Sequence, residues 1–253
     1  MRIFIITQND PFYLGDAMEY LLEILPKEVS LIGALVLNGS PFGKRKSLLN
    51  QATSTLKIFG IKFFLFYSIK FIKSKVGSKS VAGILKNATH NVREGSININ
   101  SADNIDHIKL LNPDIIISIA ANQKFSDDLL DLPKMTCLNI HSAKLPKYRG
   151  LMPLFWACAH EEKTVGVTVF EMDKDLDSGL IVSQSEVPTG KFSLNALIKQ
   201  TKYLGMFLLA DVLRKYLNGT VEYEENLNSD ASYFSFPTNL DVKKFIKTGR
   251  KFY

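Results

Sequence analysis

The sequence predicts an α/β protein with a Rossmann-like, mostly parallel sheet flanked by helices and a small C-terminal extension of helix and strand. Continuous apolar runs, Arg2–Thr7 and Leu31–Leu37, are typical of strands buried on both faces. The amphipathic stretch Asp16–Leu25 lies between them and stops before Pro26, which gives the β-α-β order of a parallel pair. The composition, 46% hydrophobic and 22% charged over 253 residues, is that of an ordinary globular protein.

The later elements continue this alternation of strand and helix. Helices are expected at Asp103–Leu111, Ser126–Leu132, Met152–His160 and Leu194–Leu217, and strands at Asp114–Ala121, Thr164–Glu171, Ile181–Val187 and Val221–Glu225. The string S-I-N-I-N at 96–100 alternates like a short strand, and Ser126 and Ser193 are placed to cap the helices that follow them. We expect a catalytic domain over residues 1–188. Residues 189–253 would add a helix, a short strand and an aromatic, basic tail.

The segment Leu56–Val76 is rich in aromatic residues and carries five lysines. Its longest uncharged run is the seven residues Phe63–Ile69, whereas a transmembrane span needs about 20 mostly uncharged residues. On a helical projection Lys62, Lys70 and Lys73 fall on one side, away from most of the aromatic residues. Two interpretations are open: the apolar face packs on the sheet and the lysines point to water, or the basic helix binds a membrane surface or a phosphate-rich partner.

Charge, cysteine usage and histidine spacing narrow the class of protein. The net charge of +6 suits an anionic substrate but does not choose among nucleotides, folates, tRNA and membranes. Cys137 and Cys158 lie in apolar surroundings with no C-x-x-C pattern, which predicts buried free thiols. No N-terminal signal is visible, so we expect a cytoplasmic protein. His90, His107 and His141 lack metal-ligand spacing, so no metal is expected.

Three polar residues form a set suited to acyl transfer. Asn139 and His141 are two apart at the end of an apolar run, so on a strand they share one face. Asp177 lies in the turn-forming string D-L-D-S-G after another apolar run. A carboxylate can fix the tautomer of an imidazole and stabilise its cation, and an amide can donate to a developing oxyanion. The alternative is a buried polar cluster at a strand end.

The string N-I-H-x-x-x-L-P-K-Y-R-G-x-x-P from Asn139, followed by D-x-D-x-G ending at Gly179, resembles the folate-dependent formyltransferase family. That family includes glycinamide ribonucleotide transformylase, methionyl-tRNA formyltransferase and the nucleotide-sugar N-formyltransferases. The resemblance covers most of residues 1–190 and implies Asn139, His141 and Asp177 as catalytic residues. It also implies N10-formyltetrahydrofolate as co-substrate, with no metal, and direct attack of a primary amine through a tetrahedral intermediate.

Binding residues are expected as well. The candidates for the folate are Ala121, Asn122, Gln123, Asp173 and Asp175, and the first three belong to a loop that contacts the pterin through backbone groups in the family. The candidates for the substrate are Asn9, Tyr13, Lys144, Tyr148 and Arg149. Loop capping and packing are the alternative for Asn9 and Tyr13, and extension into water for Lys144. The Arg149 fork suits a carboxylate or phosphate. Ala143 and Lys144 depart from the Ser-Leu usual in the family.

The substrate class follows from what the sequence lacks. The turn after the first strand has no G-x-G phosphate cradle, which argues against the glycinamide ribonucleotide enzyme. The residues after Val187 are too few for the β-barrel domain that methionyl-tRNA formyltransferases carry. The resemblance therefore implies a nucleotide-linked amino sugar of surface polysaccharide (lipopolysaccharide) synthesis as substrate, with a homodimer and no nucleic acid partner. The alternatives are a methionyl-tRNA formyltransferase-like enzyme acting on another amine, and a non-catalytic protein that binds a polyanion or membrane through Leu56–Val76.

Overall fold

A computed structural model describes residues 1–39, 48–77 and 80–253 of the chain. Its strands are β1 (Arg2–Asn9), β2 (Ser30–Asn38), β3 (Val92–Gly95), β4 (Ile115–Ile119), β5 (Thr136–His141), β6 (Arg149–Gly150), β7 (Thr164–Glu171), β8 (Ile181–Pro188) and β9 (Tyr233–Phe234). Its α-helices are α1 (Leu14–Ile24), α2 (Leu48–Phe59), α3 (Ile61–Gly77), α4 (Val81–Ala88), α5 (Ala102–Leu111), α6 (Asp127–Leu130), α7 (Pro153–Ala159), α8 (Leu194–Asn218) and α9 (Asn239–Lys247).

Seven of the strands in the described ranges form one sheet in the order β3-β2-β1-β4-β5-β7-β8. The first five are parallel, and β7 and β8 form an antiparallel hairpin at one edge. The remaining two strands, β6 and β9, pair with each other and join the chain after β5 to the C-terminal segment. The predicted Rossmann-like, mostly parallel sheet is therefore confirmed.

Two apolar layers cover the two faces of the sheet. One packs β1, β4, β5 and β7 against α1, α4 and α8, and the other packs β1, β2, β4 and β5 against α5 and α6. Helix α8 approaches closely because residue 205 is glycine, since a Cβ there would lie 2.7 Å from Ile140 Cγ2 of β5. Ser193 caps α8 as predicted, and its side chain accepts from Ala196 N. Cys137 and Cys158 are buried free thiols, and burial raises their pKa values to about 12 and about 11.

The segment that follows the undescribed residues departs from its prediction. It forms two helices that break at Gly60, where φ is +83°, a conformation that glycine adopts without strain. Their apolar side does not lie on the sheet: Phe59 and Phe63 pack against Phe236 and Phe252 of the C-terminal segment. None of the helices in the described part of the chain is long and apolar enough to cross a membrane.

Three local predictions are wrong. Residues 96–100 form a turn instead of a strand, because the Gln123 side chain accepts from Ile99 N and donates to Ile97 O, which occupies the groups a ladder would need. Ser126 makes no capping hydrogen bond to the single turn of α6. In place of the strand expected at Val221–Glu225, the structure has a single β-bridge between Glu224 and Ile181.

The C-terminal tail holds a helix, α9, that the sequence interpretation left out. Thr238 and Asp241 form a capping box at its start: the Thr238 side chain accepts from Asp241 N, and the Asp241 side chain accepts from Thr238 N. Val242 and Phe245 of this helix are buried against α7 and Phe252. The tail is therefore packed against the body of the protein.

Candidate active site

The polar residues predicted for catalysis gather at the carboxyl end of β5, in the middle of the sheet. Alternation along this strand sends Leu138 and Ile140 into the apolar layer under α8, so Asn139 and His141 point to the opposite face. Asn139 is half-buried and lies in register with Ser118 of β4. Carboxyl ends of parallel strands are where α/β sheets bind ligands.

The His141 ring is held by a backbone carbonyl. The residue is 8% exposed, and its Nε2 lies 2.9 Å from the carbonyl oxygen of Tyr148. Because a carbonyl only accepts hydrogen bonds, Nε2 carries a proton and the neutral ring has its lone pair on Nδ1. Nδ1 lies 3.8 Å from Asp177 Oδ2. The nitrogen able to gain and lose a proton therefore faces a carboxylate.

Asp177 reaches this position from a tight turn. Its φ is +53°, a left-handed conformation that short polar residues tolerate, and its buried Oδ2 accepts from Gly150 N at 2.9 Å. Gly179 is required for the turn, because a Cβ there would lie 1.7 Å from the carbonyl oxygen of Glu171. Asn226 closes the turn from outside: its Nδ2 donates to Asp177 O at 2.9 Å and to Gly179 O at 3.1 Å.

Arg149, a predicted substrate residue, is buried and engaged with the C-terminal segment. Its Nη2 donates to Asn226 Oδ1 at 2.7 Å and Asn226 O at 3.0 Å, and its Nη1 donates to Asn228 Oδ1 at 2.7 Å. Its Nε has no hydrogen-bond partner among the residues that the structure describes. Arg149 and Asn226 thus connect β6, the Asp177 turn and the C-terminal segment, and the predicted contact of Arg149 with substrate stays a prediction.

Two residues of the β7–β8 hairpin hold the loop that follows His141, and the sequence interpretation missed both. The Thr168 hydroxyl donates to Ala143 O at 2.7 Å and accepts from Leu145 N at 3.3 Å. Gln184 Nε2 donates to Thr168 Oγ1 at 2.8 Å and to Leu145 O at 3.0 Å. A buried Thr within the apolar string V-G-V-T-V-F was the available signal. The sequence contains no such signal for Asn226, because its hydrogen-bond partners are about 50 to 80 positions away in sequence.

Lys144 and Tyr148 line a cavity of about 180 Å³ beside this loop. Lys144 forms an ion pair with Glu186, and the Tyr148 hydroxyl donates to Glu162 Oε1 at 2.8 Å. Burial, followed by the Glu162 carboxylate, raises the pKa of Tyr148 above its ordinary value. Both predicted substrate residues therefore have a carboxylate of the protein as partner.

The other two predicted substrate residues lie in and beside the β1–α1 loop. Asn9 Oδ1 accepts from Val81 N at the start of α4, at 3.2 Å. The Tyr13 hydroxyl lies 2.7 Å from that of Tyr67 and donates to Asn195 Oδ1 at 2.9 Å. Among the described residues, neither Asn9 nor Tyr13 contacts Lys144, Tyr148 or Arg149. The structure thus distributes the five predicted substrate residues over three places.

An unexpected cation lies against Tyr13. Lys70 Nζ sits 3.8 Å from the centre of the Tyr13 ring and donates to Asn195 Oδ1 at 2.9 Å. Burial, and then the charge of Lys199, lower the pKa of Lys70 to about 8, while Asp10 opposes that shift. The prediction that Lys70 points to water is wrong, because the aromatic residues of the β1–α1 loop cover it.

Three of the predicted folate residues, Asn122, Gln123 and Asp173, bind protein groups through their side chains. Asn122 Nδ2 lies 3.3 Å from both Gln8 Oε1 and Asn38 O, and Gln123 binds the turn at 97–99. Ala121, Asn122 and Gln123 are half-buried, and contact of their backbone with a folate stays a prediction. Asp173 and Asp175 are exposed, and Asp173 Oδ1 accepts from Ser178 Oγ at 2.6 Å. Across the described ranges, no group of three or more His, Cys, Asp or Glu residues could hold a metal ion.

A family model described as "Formyl transferase" matches residues 75–204, just over half of the chain. The chain is similar to the bifunctional polymyxin resistance protein ArnA of Wigglesworthia glossinidia brevipalpis, with 37% identity over 138 residues, 54% of this chain and 21% of that protein. It is also similar to the methionyl-tRNA formyltransferase of Kosmotoga olearia, with 27% identity over 219 residues, 86% of this chain and 61% of that protein. The chain thus spans less than two thirds of the length of these curated relatives.

Solved structures share the fold along most of the chain. A sugar N-formyltransferase from Shewanella sp FDAARGOS_354 superposes with a TM-score of 0.58 and 18% identity, over 97% of this chain and 87% of that one. An N-formyltransferase from Helicobacter canadensis, in complex with folinic acid and dTDP-3-aminofucose, superposes with a TM-score of 0.60 and 19% identity, over 96% of this chain and 78% of that one. At this identity the likeness shows a common fold.

Proposed function

Because this chain belongs to the formyl transferase family, we propose that it is an enzyme that transfers a formyl group from N10-formyltetrahydrofolate to the primary amine of a nucleotide-linked amino sugar. The observation that carries the proposal is the geometry of His141, whose Nε2 is fixed on Tyr148 O while Nδ1 faces Asp177 at 3.8 Å. Asn139 supports it from the same face of the same strand.

Each of the three residues has a role that its position permits. Asn139 carries an amide that can orient a formyl oxygen and donate to it as negative charge develops. His141 Nδ1 can accept the proton that the attacking amine loses, because the lone pair of the neutral ring is on that nitrogen. Asp177 stabilises the imidazolium that results, and its bond from Gly150 N keeps the carboxylate in place. Proton transfer of this kind contributes about 10²–10⁴-fold to a rate.

The co-substrate supplies the formyl carbon that the amine attacks. The loop of Ala121, Asn122 and Gln123 suits a pterin because it follows the carboxyl end of β4, where α/β sheets bind ligands, and because protein groups hold the side chains of Asn122 and Gln123. Asp173 and Asp175, both exposed, are the second set that we propose around the folate. The solved N-formyltransferase of Helicobacter canadensis, which holds folinic acid, supports a folate ligand for this fold.

The amino-sugar substrate is supported by the solved structures and by the first loop. The sugar N-formyltransferase from Shewanella matches this chain almost from end to end, and the Helicobacter canadensis enzyme holds dTDP-3-aminofucose. The β1–α1 loop has aromatic residues, Phe12 and Tyr13, where a glycine-rich phosphate cradle would lie in a purine-synthesis enzyme. A cytoplasmic location, a homodimer and the absence of a nucleic acid partner complete the proposal.

A second candidate is formylation of another amine by a methionyl-tRNA formyltransferase-like enzyme. The observation in its favour is sequence identity: the methionyl-tRNA formyltransferase of Agathobacter rectalis is 31% identical over 140 residues, 55% of this chain and 45% of that protein. The sugar N-formyltransferase from Shewanella is 18% identical. Failure to formylate methionyl-tRNA under conditions that support sugar formylation would remove this candidate.

The decisive assay follows tetrahydrofolate production from N10-formyltetrahydrofolate across a panel of 3- and 4-amino-6-deoxy sugars carried on dTDP, GDP and UDP. We expect turnover with one of them and a loss of about 10²-fold or more in His141→Asn. His90→Asn is the matched control, because His90 is exposed and far from β5 in sequence, and it should keep full activity. If no sugar of the panel supports tetrahydrofolate production while folate still binds, the amino-sugar proposal is refuted. If folate does not bind, the proposed formyl transfer itself is refuted.

A further inference from the structure

The outer side of α3 carries an apolar stripe that the described protein leaves uncovered. Its members recur at helical spacing of four, four and three residues and are each more than half exposed: Ile61 57%, Leu65 52%, Ile69 55% and Ile72 64%. Exposed large aliphatic side chains occur singly on most proteins, but a contiguous row marks an interaction surface.

The inner side of the same helix fixes the stripe in place. Phe59 stacks on Phe63 at 4.3 Å between ring centres, and Phe63 stacks on Tyr67 at 4.4 Å. Phe252 meets Phe63 edge-on at 5.0 Å. The Tyr67 hydroxyl lies 2.7 Å from that of Tyr13. Because one side is anchored by aromatic packing, α3 presents its aliphatic side to solvent on a fixed support.

The charges around this stripe indicate which kind of partner it binds. Lys62 and Lys73 flank it and are exposed, and Lys57 of α2 is exposed nearby in sequence. Residues 29–93 of the sequence contain eleven Lys and Arg residues and no Asp or Glu. A second copy that paired its α3 with this one would bring two rows of lysines together with no acidic residue from the stretch to offset them. An anionic surface is complementary to the same arrangement.

We propose that the α3 stripe, Ile61, Leu65, Ile69 and Ile72 with Lys62 and Lys73, is a docking surface for anionic lipid bilayers. The four aliphatic side chains enter the boundary between headgroups and acyl chains, and the lysines meet lipid phosphates. The helix has 17 residues and lies in the plane of the interface without crossing the bilayer. The contact is peripheral and reversible, and it adds a location to the formyl transfer proposed above without taking part in it.

Flotation of the intact chain with vesicles tests this proposal. We use vesicles of phosphatidylcholine alone and of phosphatidylcholine mixed with phosphatidylglycerol, at low and at high salt. Wild-type protein should float with the mixed vesicles and much less with phosphatidylcholine alone, and salt should reduce the floated fraction. The double variant Leu65→Ser/Ile69→Ser should lower the vesicle partition coefficient by about tenfold or more, and Lys62→Gln/Lys73→Gln should remove the preference for phosphatidylglycerol.

Leu110→Ser is the matched control, because Leu110 is 85% exposed on α5 and belongs to no stripe, and this variant should float like wild type. All changes lie at exposed positions, and circular dichroism spectra should stay those of wild type. Wild-type protein that stays out of the vesicle fraction overturns the proposal, as does equal flotation of wild type and Leu65→Ser/Ile69→Ser. Sedimentation that shows a dimer for wild type and a monomer for the double variant assigns the stripe to a second copy and also overturns it.

Discussion

Replacing Asn226 by Asp should open the Asp177 turn while leaving the shape of the side chain unchanged. The amide of Asn226 donates to Asp177 O and Gly179 O, whereas its oxygen accepts from Arg149. A carboxylate keeps the acceptor for Arg149 but has no N–H to give, and it places an oxygen against two carbonyl oxygens about 3 Å away.

The expected loss of stability in Asn226→Asp follows from the polar groups that the substitution leaves without a hydrogen-bond partner. Each buried polar group without a partner costs about 1–3 kcal/mol, and the new pair between the carboxylate and the Arg149 guanidinium offsets part of the sum. We expect Asn226→Asp to lower the free energy of unfolding by about 2–4 kcal/mol. Movement of Asp177 away from His141 should lower kcat by about tenfold or more, because the carboxylate then stabilises the imidazolium less.

Asn228→Asp is the matched control. Asn228 is exposed, and its side-chain oxygen accepts from the same guanidinium at 2.7 Å with no donor bond to the turn. Because Asn228→Asp gives the Arg149 guanidinium a charged acceptor in place of a neutral one and removes no bond to the turn, it should not lower the free energy of unfolding. Urea unfolding of both variants, together with kcat, checks the reasoning. Equal effects of the two substitutions would refute the argument that the Asn226 amide closes the turn.

The remaining predictions concern the loop support, the α8 contact and the covered lysine. Thr168→Val should lower the free energy of unfolding by about 2–3 kcal/mol, and Thr168→Ser should recover most of it in urea titrations, because three hydrogen bonds meet at that hydroxyl. Gly205→Ala should cost about 1–3 kcal/mol by pushing α8 off the sheet. Gly83→Ala in α4 should lower the melting temperature less, because a Cβ at 83 meets the Oγ of the capping Ser80 at 3.0 Å, a looser contact than the 2.7 Å at 205, and alanine favours a helix. Lys70 has a folded-state pKa of about 8, below its ordinary 10.5, so between these pH values folding releases its proton. The free energy of unfolding of wild type relative to Lys70→Met should therefore rise between pH 8 and pH 10. A difference that does not change with pH would contradict the covered position of Lys70.

The elements that the sequence predicted well are those whose pattern is local. Apolar runs marked β1, β2 and β4, Ser193 and Gly219 marked both ends of α8, and the spacing of Asn139 and His141 gave their common face. These features depend on neighbours within a few residues. The triad itself stays a proposal about chemistry, although His141 and Asp177 meet as expected.

The predictions that failed depended on partners distant in sequence. Residues 96–100 alternate like a strand, but Gln123 takes their backbone groups into a turn. Lys70 fell on the polar side of a helical projection, but Tyr13 and Asn195, from other parts of the chain, cover it. No window of local sequence contains these contacts, so periodicity assigned a strand to residues 96–100 and an exposed position to Lys70.

The C-terminal segment contacts the candidate active site, which bears on how the chain divides into domains. The boundary between residues 188 and 189 stays a prediction, yet contacts at the site cross it, among them the following three. Asn226 closes the Asp177 turn, the Ser232 hydroxyl accepts from Tyr148 N at 2.9 Å, and Phe234 stacks on Tyr148 at 5.4 Å. Tyr148 in turn supplies the carbonyl that fixes the His141 ring. The C-terminal segment thus contacts both partners of His141, Tyr148 and Asp177, so the position of Nδ1 depends on residues outside the motif.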